Sequence, residues 1–259
     1  MKVTIIGAGA YGTALGGLVA GNGYDVDYYD PKREPERLKS ATSGAKVIIL
    51  CAPSESATRL LPHLPKDVPL IVATKGFLLD KPFAEFKEWA VVSGPGFADE
   101  IKAGRDTWLT ITSKWVADYL KAPHMHFEVM SDKKAVLMCG ALKNVYAILA
   151  GKSGLEPHTR AMRDFIKFTS NEMREILRAN GANEKAVDSP CGIKDLTLTC
   201  SNGSRNFGFG RELYRHRRSN SDVTVEGVST LKRIKNGAII VPGSAHYLHA
   251  LLLEYSIWG

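Results

Sequence analysis

The most distinctive residue spacing in the chain is a glycine-rich segment near the N-terminus. It fits the pattern G-x-G-x-x-G, follows the strand-like run Val3–Ile6 and opens the helical run Thr13–Ala20. Gly7 would permit a tight turn, Gly9 would let backbone N–H groups approach a pyrophosphate, and Gly12 would let helix and strand pack closely. The helix N-terminus also favours an anion. The pattern therefore predicts a dinucleotide-binding turn made by Gly7, Ala8, Gly9, Ala10, Tyr11 and Gly12.

An acidic residue closes the second strand-like run. Asp30 lies eighteen positions beyond Gly12, near the offset at which a carboxylate binds the ribose 2′-hydroxyl of NAD. A carboxylate repels the 2′-phosphate of NADP, so Asp30 favours NAD. Lys32 and Arg33 follow directly and could bind that phosphate instead, which leaves NADP open as a cofactor.

Five later segments carry lysines, an aspartate and an Arg–Asn pair in distinctive contexts. Hydride transfer needs three things from the protein: an oriented substrate, a proton donor or acceptor at the carbinol oxygen, and clamps for the rest of the substrate. Lysine, aspartate and arginine side chains can supply all three. The segments are Thr74–Gly76, Ser93–Glu100, Gly140–Val145, Asp195–Cys200 and Ser204–Asn206.

Taken together, these segments resemble the NAD(P)-dependent glycerol-3-phosphate dehydrogenase family. The resemblance is carried by GALKN at 140–144, SGP with FA and E at 93–100, DLTLTC at 195–200 and SRN at 204–206, in the family's order behind the glycine-rich turn. It extends over almost the whole chain. It implies a Rossmann domain followed by a helical domain, and interconversion of dihydroxyacetone phosphate and glycerol 3-phosphate. It also implies a role in supplying the glycerol backbone of phospholipids, and a homodimer.

The resemblance also implies roles for individual residues. Lys143 would exchange a proton with the C2 oxygen, with Lys75 as a neighbouring cation and Asp195 holding the ammonium group in place. A lysine can do this near neutral pH only when burial or a nearby cation lowers its pKa. Arg205 and Asn206 would contact phosphate and nicotinamide, and Ser204 would cap the helix that they begin.

The remaining positions carried over from the family complete the expected site. The cofactor contacts would be Gly7, Gly9, Ala10, Tyr11, Gly12, Asp30, Lys75, Ala98, Arg205 and Glu226. The substrate contacts would be Lys75, Gly94, Lys143, Asn144, Asp195, Thr199, Ser204, Arg205 and Asn206.

This sequence departs from the family pattern in several places. The chain is shorter, with trimmed connections after Asp30 and around residues 81–90. Gly96 stands where the family has Ser or Thr, Lys194 where it has Gly, and His158 where it has Asn; the spacing from Asp195 to Ser204 is one residue short.

Two alternatives stay open. One is a non-catalytic NAD(H) sensor, and the other is a Rossmann-plus-helical dehydrogenase acting on a hydroxyacyl or sugar-acid substrate, for which a His–Glu pair or a differently placed lysine would be expected.

The elements that must position these residues follow two different patterns. Up to about residue 131, short apolar runs alternate with helical stretches, and this βαβ rhythm predicts a parallel sheet with helices on both faces. The predicted strands are Val3–Ile6, Val26–Tyr29, Val47–Cys51, Leu70–Ala73, Ala90–Ser93 and Trp108–Thr112.

From Asp132 the pattern is helical. The predicted helices are Ala135–Ala150, Met162–Leu177, Arg205–Tyr214, Glu226–Lys235 and Ser244–Tyr255. We therefore predict an α/β Rossmann-type parallel-sheet domain over residues 1–131 and a mostly α-helical domain over residues 132–259, with a cleft between them.

Composition limits the remaining functional classes. The net charge of +7 suits anionic small molecules, and no nucleic-acid recognition motif accompanies it. The basic run Arg215–Arg218 lacks interleaved aromatic residues and is typical of a solvated helix end. Four scattered cysteines without a C-x-x-C pair predict neither a disulfide framework nor a zinc site, and favour a reducing cytoplasm. We expect no secretory signal and no membrane span.

Overall fold

A computed structural model describes residues 1–76, 82–216 and 225–258 of the chain. Its first half is a seven-stranded sheet with strand order β2-β1-β3-β4-β5-β6-β7. The strands are β1 (Lys2–Ile6), β2 (Asp25–Tyr29), β3 (Val47–Leu50), β4 (Leu70–Val72), β5 (Trp89–Ser93), β6 (Thr107–Ile111) and β7 (Met125–Val129). The predicted Rossmann-type fold is confirmed.

Helices cover both faces of this sheet. They are α1 (Ala10–Gly21), α2 (Leu38–Thr42), α3 (Ser54–Leu60), α4 (Ala98–Lys102) and α5 (Val116–Leu120). Strand β3 is buried along its whole length, as expected for a parallel strand packed on two sides. Leu15 of α1, Ile101 of α4 and Leu120 of α5 share one core, while Ala57 of α3 belongs to the core on the other face.

The sheet is not parallel throughout. Strand β6 runs antiparallel to β5, with Val92 paired to Ile111 and Ser93 to Thr110. The connecting helix α4 has five residues and spans roughly 7.5 Å, about half the length of a five-residue strand. Helix α5, which connects the parallel strands β6 and β7, is equally short, so helix length does not set the direction of β6. The polar edge strand β7 was not predicted, because His126 and Glu128 interrupt its apolar run.

The second half of the chain is helical. Its helices are α6 (Lys133–Lys152), α7 (Arg160–Ala179), α8 (Asp195–Thr199), α9 (Arg205–His216), α10 (Glu226–Lys235) and α11 (His246–Trp258), with a π-helical turn at Pro190–Lys194. All five predicted helices are present, within a few residues of their predicted ends. Arg215 and His216 form an exposed end of α9, while Arg217 and Arg218 lie outside the described residues.

Helix α6 is the centre of this half. The Asp132 side chain caps it by accepting a hydrogen bond from the Ala135 N–H at 3.0 Å. Among the described residues, α6 is the one helix that is long enough and apolar enough to cross a membrane. However, 94% of its apolar window is buried inside the protein. Gly151 of α6 and Gly210 of α9 let the two backbones touch, since a Cβ at Gly151 would lie 2.9 Å from the Arg211 nitrogen.

Candidate active site

The glycine-rich turn joins the end of β1 to the start of α1. Gly7 adopts φ +103°, a conformation that favours glycine, and a Cβ there would lie 2.6 Å from the backbone nitrogen of Ala52. Gly9 caps α1, and nothing lies within 4 Å of the place where its Cβ would be. The turn therefore presents open space over the N–H groups of a helix N-terminus, which suits a pyrophosphate.

A cavity of about 490 Å³ begins at this turn. It lies outside the carboxyl ends of the parallel strands, where open α/β sheets bind their ligands. Asp30 and Lys32 line one end, and Lys75, Lys143 and Asp195 line the other. It brings together every predicted site residue except Gly94: Gly7, Gly9, Ala10, Tyr11, Gly12, Asp30, Lys75, Ala98, Lys143, Asn144, Asp195, Thr199, Ser204, Arg205, Asn206 and Glu226.

Lys143 and Asp195 form an ion pair in the floor of the cavity. The Lys143 Nζ lies 2.5 Å from the Asp195 Oδ2, and the two side chains are 2% and 1% exposed. Lys143 projects from the middle of α6, and Asp195 is the first residue of α8, directly after the π-helical turn. An isolated buried charge is costly, so each side chain requires the other. The pair places an ammonium group, already held by a carboxylate, against the cavity.

Lys75 lies on the loop after β4. Its Nζ donates to the carbonyl oxygens of Gly96 at 3.2 Å and Gly94 at 3.5 Å, and it lies 4.5 Å from the centre of the Tyr11 ring. Desolvation, and then the neighbouring charge of Lys143, lower the pKa of Lys75 from 10.5 to about 8. Gly94 does not line the cavity but acts on it through this carbonyl.

A chain of side-chain amides connects Lys75 with the helices. The Asn144 Nδ2 donates to the carbonyls of Lys75 at 2.6 Å and Gly140 at 3.1 Å, and the Asn144 Oδ1 accepts from the Asn206 Nδ2 at 2.9 Å. The Asn206 Oδ1 in turn accepts from the Gly227 N–H at 2.9 Å. Asn144 thus donates both its amide hydrogens to backbone carbonyl oxygens. Asn206 donates one amide hydrogen to Asn144, and its second amide hydrogen is available to a ligand.

The N-terminus of α9 forms another wall. The Ser204 Oγ accepts a hydrogen bond from the Phe207 N–H at 3.3 Å, as expected of an N-cap. Arg205 is exposed and lines the cavity, so its guanidinium is available to an anion. The Thr199 hydroxyl donates to the Asp195 carbonyl at 2.6 Å, which ties the two ends of α8 together.

Two acidic residues at the cavity make local contacts. The Glu226 carboxylate, at the start of α10, accepts from the Ser54 N–H at 3.1 Å and from the Ser54 hydroxyl at 2.6 Å. Asp30 accepts from the Lys32 N–H at 3.0 Å and lies 3.6 Å from the Arg33 guanidinium. The sequence did not single out Ser54, because a serine at the start of a short helix is an ordinary residue.

Other lining residues carried no sequence signal. Apolar and small residues along the cavity wall have no pattern that separates them from core residues. They are Cys51, Ala52, Pro53, Ala73, Phe97, Leu198 and Gly203, together with the hydroxyl-bearing Ser56.

Two features of the structure indicate that the site can hold a dinucleotide. The glycine cradle leaves open space that a side chain at Gly9 would enter, and the Tyr11 hydroxyl is buried in the cavity without a hydrogen-bond partner among the described residues. A buried unpartnered hydroxyl is costly unless a ligand satisfies it. Together with the Lys143–Asp195 pair, the fold and the cavity define a nicotinamide-nucleotide-dependent oxidoreductase with a Rossmann half and a helical half.

Comparisons with known proteins assign the chain within this class. Residues 132–239 match the family profile described as the NAD-dependent glycerol-3-phosphate dehydrogenase C-terminus. An NAD(P)+ glycerol-3-phosphate dehydrogenase from Leptospira biflexa is 30% identical over 293 residues, covering 91% of this chain and 87% of the relative. One from Geobacter metallireducens is 32% identical over 264 residues, covering 82% and 78%. The crystal structure of glycerol-3-phosphate dehydrogenase from Coxiella burnetii superposes with a TM-score of 0.83 at 25% identity, covering 98% and 94%.

The chain belongs to the NAD(P)-dependent glycerol-3-phosphate dehydrogenase family. This confirms the resemblance on which the site residues were assigned.

Proposed function

We propose that this protein catalyses the reversible, NAD(P)H-dependent reduction of dihydroxyacetone phosphate to sn-glycerol 3-phosphate, which supplies the glycerol backbone of phospholipids. The observation that carries the proposal is the buried Lys143–Asp195 ion pair at one end of the cavity that begins at the glycine-rich turn. A sensor that only holds the cofactor has no use for such a pair. The segment around Lys143 also contains no histidine, which a hydroxyacyl dehydrogenase would be expected to use.

Lys143, Asp195 and Lys75 have different roles in the reaction. When bound, the nicotinamide supplies or accepts the hydride at C2 of the substrate. The Lys143 ammonium donates a proton to the C2 oxygen during reduction and takes it back during oxidation. Asp195 holds the Lys143 side chain in place both before and after the proton is transferred, and Lys75 adds a second cation for the oxygen as negative charge develops.

The substrate phosphate is held at the N-terminus of α9. Arg205 can form two parallel hydrogen bonds to a phosphate, and the free N–H groups at the helix start add to the binding of an anion. Asn206 contributes its remaining amide hydrogen, directed by Asn144 and Gly227. The Gly7–Gly12 turn would hold the cofactor pyrophosphate, and Asp30 would accept hydrogen bonds from the ribose hydroxyls.

A substrate panel tests the proposal. Purified protein is mixed with NADH and one of three carbonyl substrates: dihydroxyacetone phosphate, a 3-oxoacyl thioester or a 2-oxo acid. Of the three substrates, we expect only dihydroxyacetone phosphate to give rapid NADH oxidation, with the sn-3 isomer of glycerol phosphate as the product. Faster turnover of either other substrate would assign the chain a different reaction, and NADH binding without turnover of any would establish a sensor.

We also propose that the chain works in the cytoplasm as a homodimer. Four cysteines without a disulfide support a reducing compartment, and the family resemblance supports the dimer. Sedimentation equilibrium of the full chain tests the dimer, since a mass of one chain at micromolar concentration would contradict it.

A further inference from the structure

Tyr11 has a position that binding of a pyrophosphate does not explain. Its backbone belongs to the glycine-rich turn, but its side chain extends along the cavity to the substrate end. The Lys75 ammonium lies over its ring, 4.5 Å from the ring centre. An aromatic ring attracts a cation at its face, most strongly where water is excluded.

Lys75 depends on this ring more than an ordinary lysine would. Within the described parts of the chain, no carboxylate lies within ion-pairing distance of its Nζ. Its other contacts are two carbonyl oxygens, those of Gly94 and Gly96. The charged groups that face Lys75 from the packed elements are Lys143 of α6, which opposes its charge, and Asp195 of α8 and Glu100 of α4, which favour it. The Glu100 carboxylate is also engaged with the Phe97 N–H at 3.1 Å.

We propose that Tyr11 is a positioning residue for Lys75: the face of its ring holds the Lys75 ammonium, in its charged form, against the wall of the cavity. The glycine-rich turn then has two functions, one carried by its backbone toward the cofactor and one carried by this ring toward the substrate cation. The catalytic consequence rests on the proposed dehydrogenase function, whereas the ring–ammonium contact itself does not.

The ring and the hydroxyl of Tyr11 can be separated experimentally. Tyr11→Phe keeps the ring face, while Tyr11→Leu keeps an apolar side chain in the cavity and removes the face. Burial raises the pKa of the Tyr11 phenol far above its usual value, so the ring stays neutral throughout the titration. Any change in the Lys75 titration therefore reports on the ring face.

The titration is measured without activity. The protein is acetylated with trace acetic anhydride at a series of pH values, and the modified fraction of Lys75 is quantified by peptide mass spectrometry. We expect a midpoint near 8 in the wild type and the same midpoint in Tyr11→Phe. In Tyr11→Leu the charged form loses a partner, so the midpoint moves down by about half to one pH unit.

Two results would overturn the proposal. One is an unchanged or higher midpoint in Tyr11→Leu, and the other is an equal shift in Tyr11→Phe, which would assign the effect to the hydroxyl. If Tyr11→Leu does not fold, as judged by circular dichroism, Tyr11 is replaced by pentafluorophenylalanine, and Tyr11→Phe is the reference. That ring has the same shape with a reversed charge distribution, so the midpoint must again fall.

A second readout connects the contact with catalysis. The alkaline limb of kcat/KM for dihydroxyacetone phosphate should follow the Lys75 midpoint, moving down in Tyr11→Leu and staying in place in Tyr11→Phe. If the wild type does not turn over this substrate but the labelling midpoints shift as expected, the proposed function fails and the positioning role stands. A labelling shift without a matching shift of the alkaline limb would overturn the catalytic part of the proposal.

Discussion

At the scale of single residues, Lys143 and Asp195 show how the fold supports a reactive charge. Both are almost fully buried, and neither charge could be kept there without the other. Helix α6 supplies a rigid base for the lysine, and the π-helical turn before Asp195 directs the carboxylate toward it. The ammonium is therefore held in one place before substrate arrives, which is a condition for efficient proton transfer.

We predict that Lys143→Ala lowers kcat by about 10²–10⁴, the usual effect of losing a general acid–base group. Lys143→Arg should be nearly as damaging, because a guanidinium does not release its proton at accessible pH. NADH affinity should change little, since the proposed pyrophosphate site at Gly7–Gly12 is separate from this lysine. Steady-state turnover and a fluorescence titration with NADH check both parts. Substantial turnover by Lys143→Arg would exclude a lysine that cycles its proton.

Asp30 is expected to set the cofactor preference. Its carboxylate lines the cavity next to Lys32, so a 2′-phosphate would meet a like charge as well as an opposite one. We predict a higher kcat/KM with NADH than with NADPH, and a gain of about tenfold with NADPH in Asp30→Asn, as one like charge at contact distance is removed. Lys32→Ala is the matched control and should reduce use of NADPH more than of NADH. A wild type that prefers NADPH would make Lys32 or Arg33 the determinant.

At the scale of elements, the loop between α6 and α7 contains a strained residue. His158 has φ +65°, the one non-glycine residue with positive φ among those described, and its carbonyl accepts from the Arg163 guanidinium at 2.9 Å. Most L-residues disfavour this conformation, whereas asparagine tolerates it because its short polar side chain bonds to nearby backbone. The exposed loop thus carries a local cost that another residue type would reduce.

We predict that His158→Asn raises the free energy of unfolding by about 0.5 kcal/mol, and that His158→Val lowers it by about 1 kcal/mol or more. Urea unfolding followed by circular dichroism measures both changes. His63→Asn is the control, because His63 is also exposed but lies in a short helix with ordinary backbone angles. An equal gain from the control would show that the effect comes from side-chain chemistry rather than from the backbone angle of His158.

The elements differ in how far the sequence predicts them. The turn at Gly7–Gly12 is predictable because spacing, preceding strand and following helix all lie within one short segment. The reversal of β6 is not visible in the sequence, because a short apolar run has the same pattern in a parallel and in an antiparallel strand. Site contacts such as Tyr11 with Lys75 join side chains far apart in the chain. Residue types alone do not reveal such contacts, because only the folded sheet brings β1 and β4 to the same edge.

At the scale of the whole molecule, a few polar contacts join the sheet to the helices around the cavity. Besides the Asn144–Lys75 bond, the Thr110 hydroxyl accepts from the Cys191 N–H at 3.0 Å and helps to hold the π-helical turn before Asp195 against β6. Glu226 of α10 holds the start of α3 through two bonds to Ser54. The residues proposed as catalytic come from both halves, so these contacts decide whether the cavity is assembled.

The Glu226–Ser54 contact provides a test of this coupling between halves. We predict that Glu226→Ala lowers the free energy of unfolding by about 1–3 kcal/mol, because it leaves the backbone N–H of Ser54, a residue only 1% exposed, without its acceptor. Ser54→Ala, which does not line the cavity, is the matched partner variant. If the two residues stabilise the assembly through each other, the double variant costs less than the sum of the single ones by about 1 kcal/mol. Urea unfolding of all four proteins gives this coupling energy. If Glu226→Ala instead leaves the free energy of unfolding unchanged and raises only the NADH dissociation constant, Glu226 is a cofactor contact alone. The amide chain through Asn144 and Asn206 would then be the link between the halves.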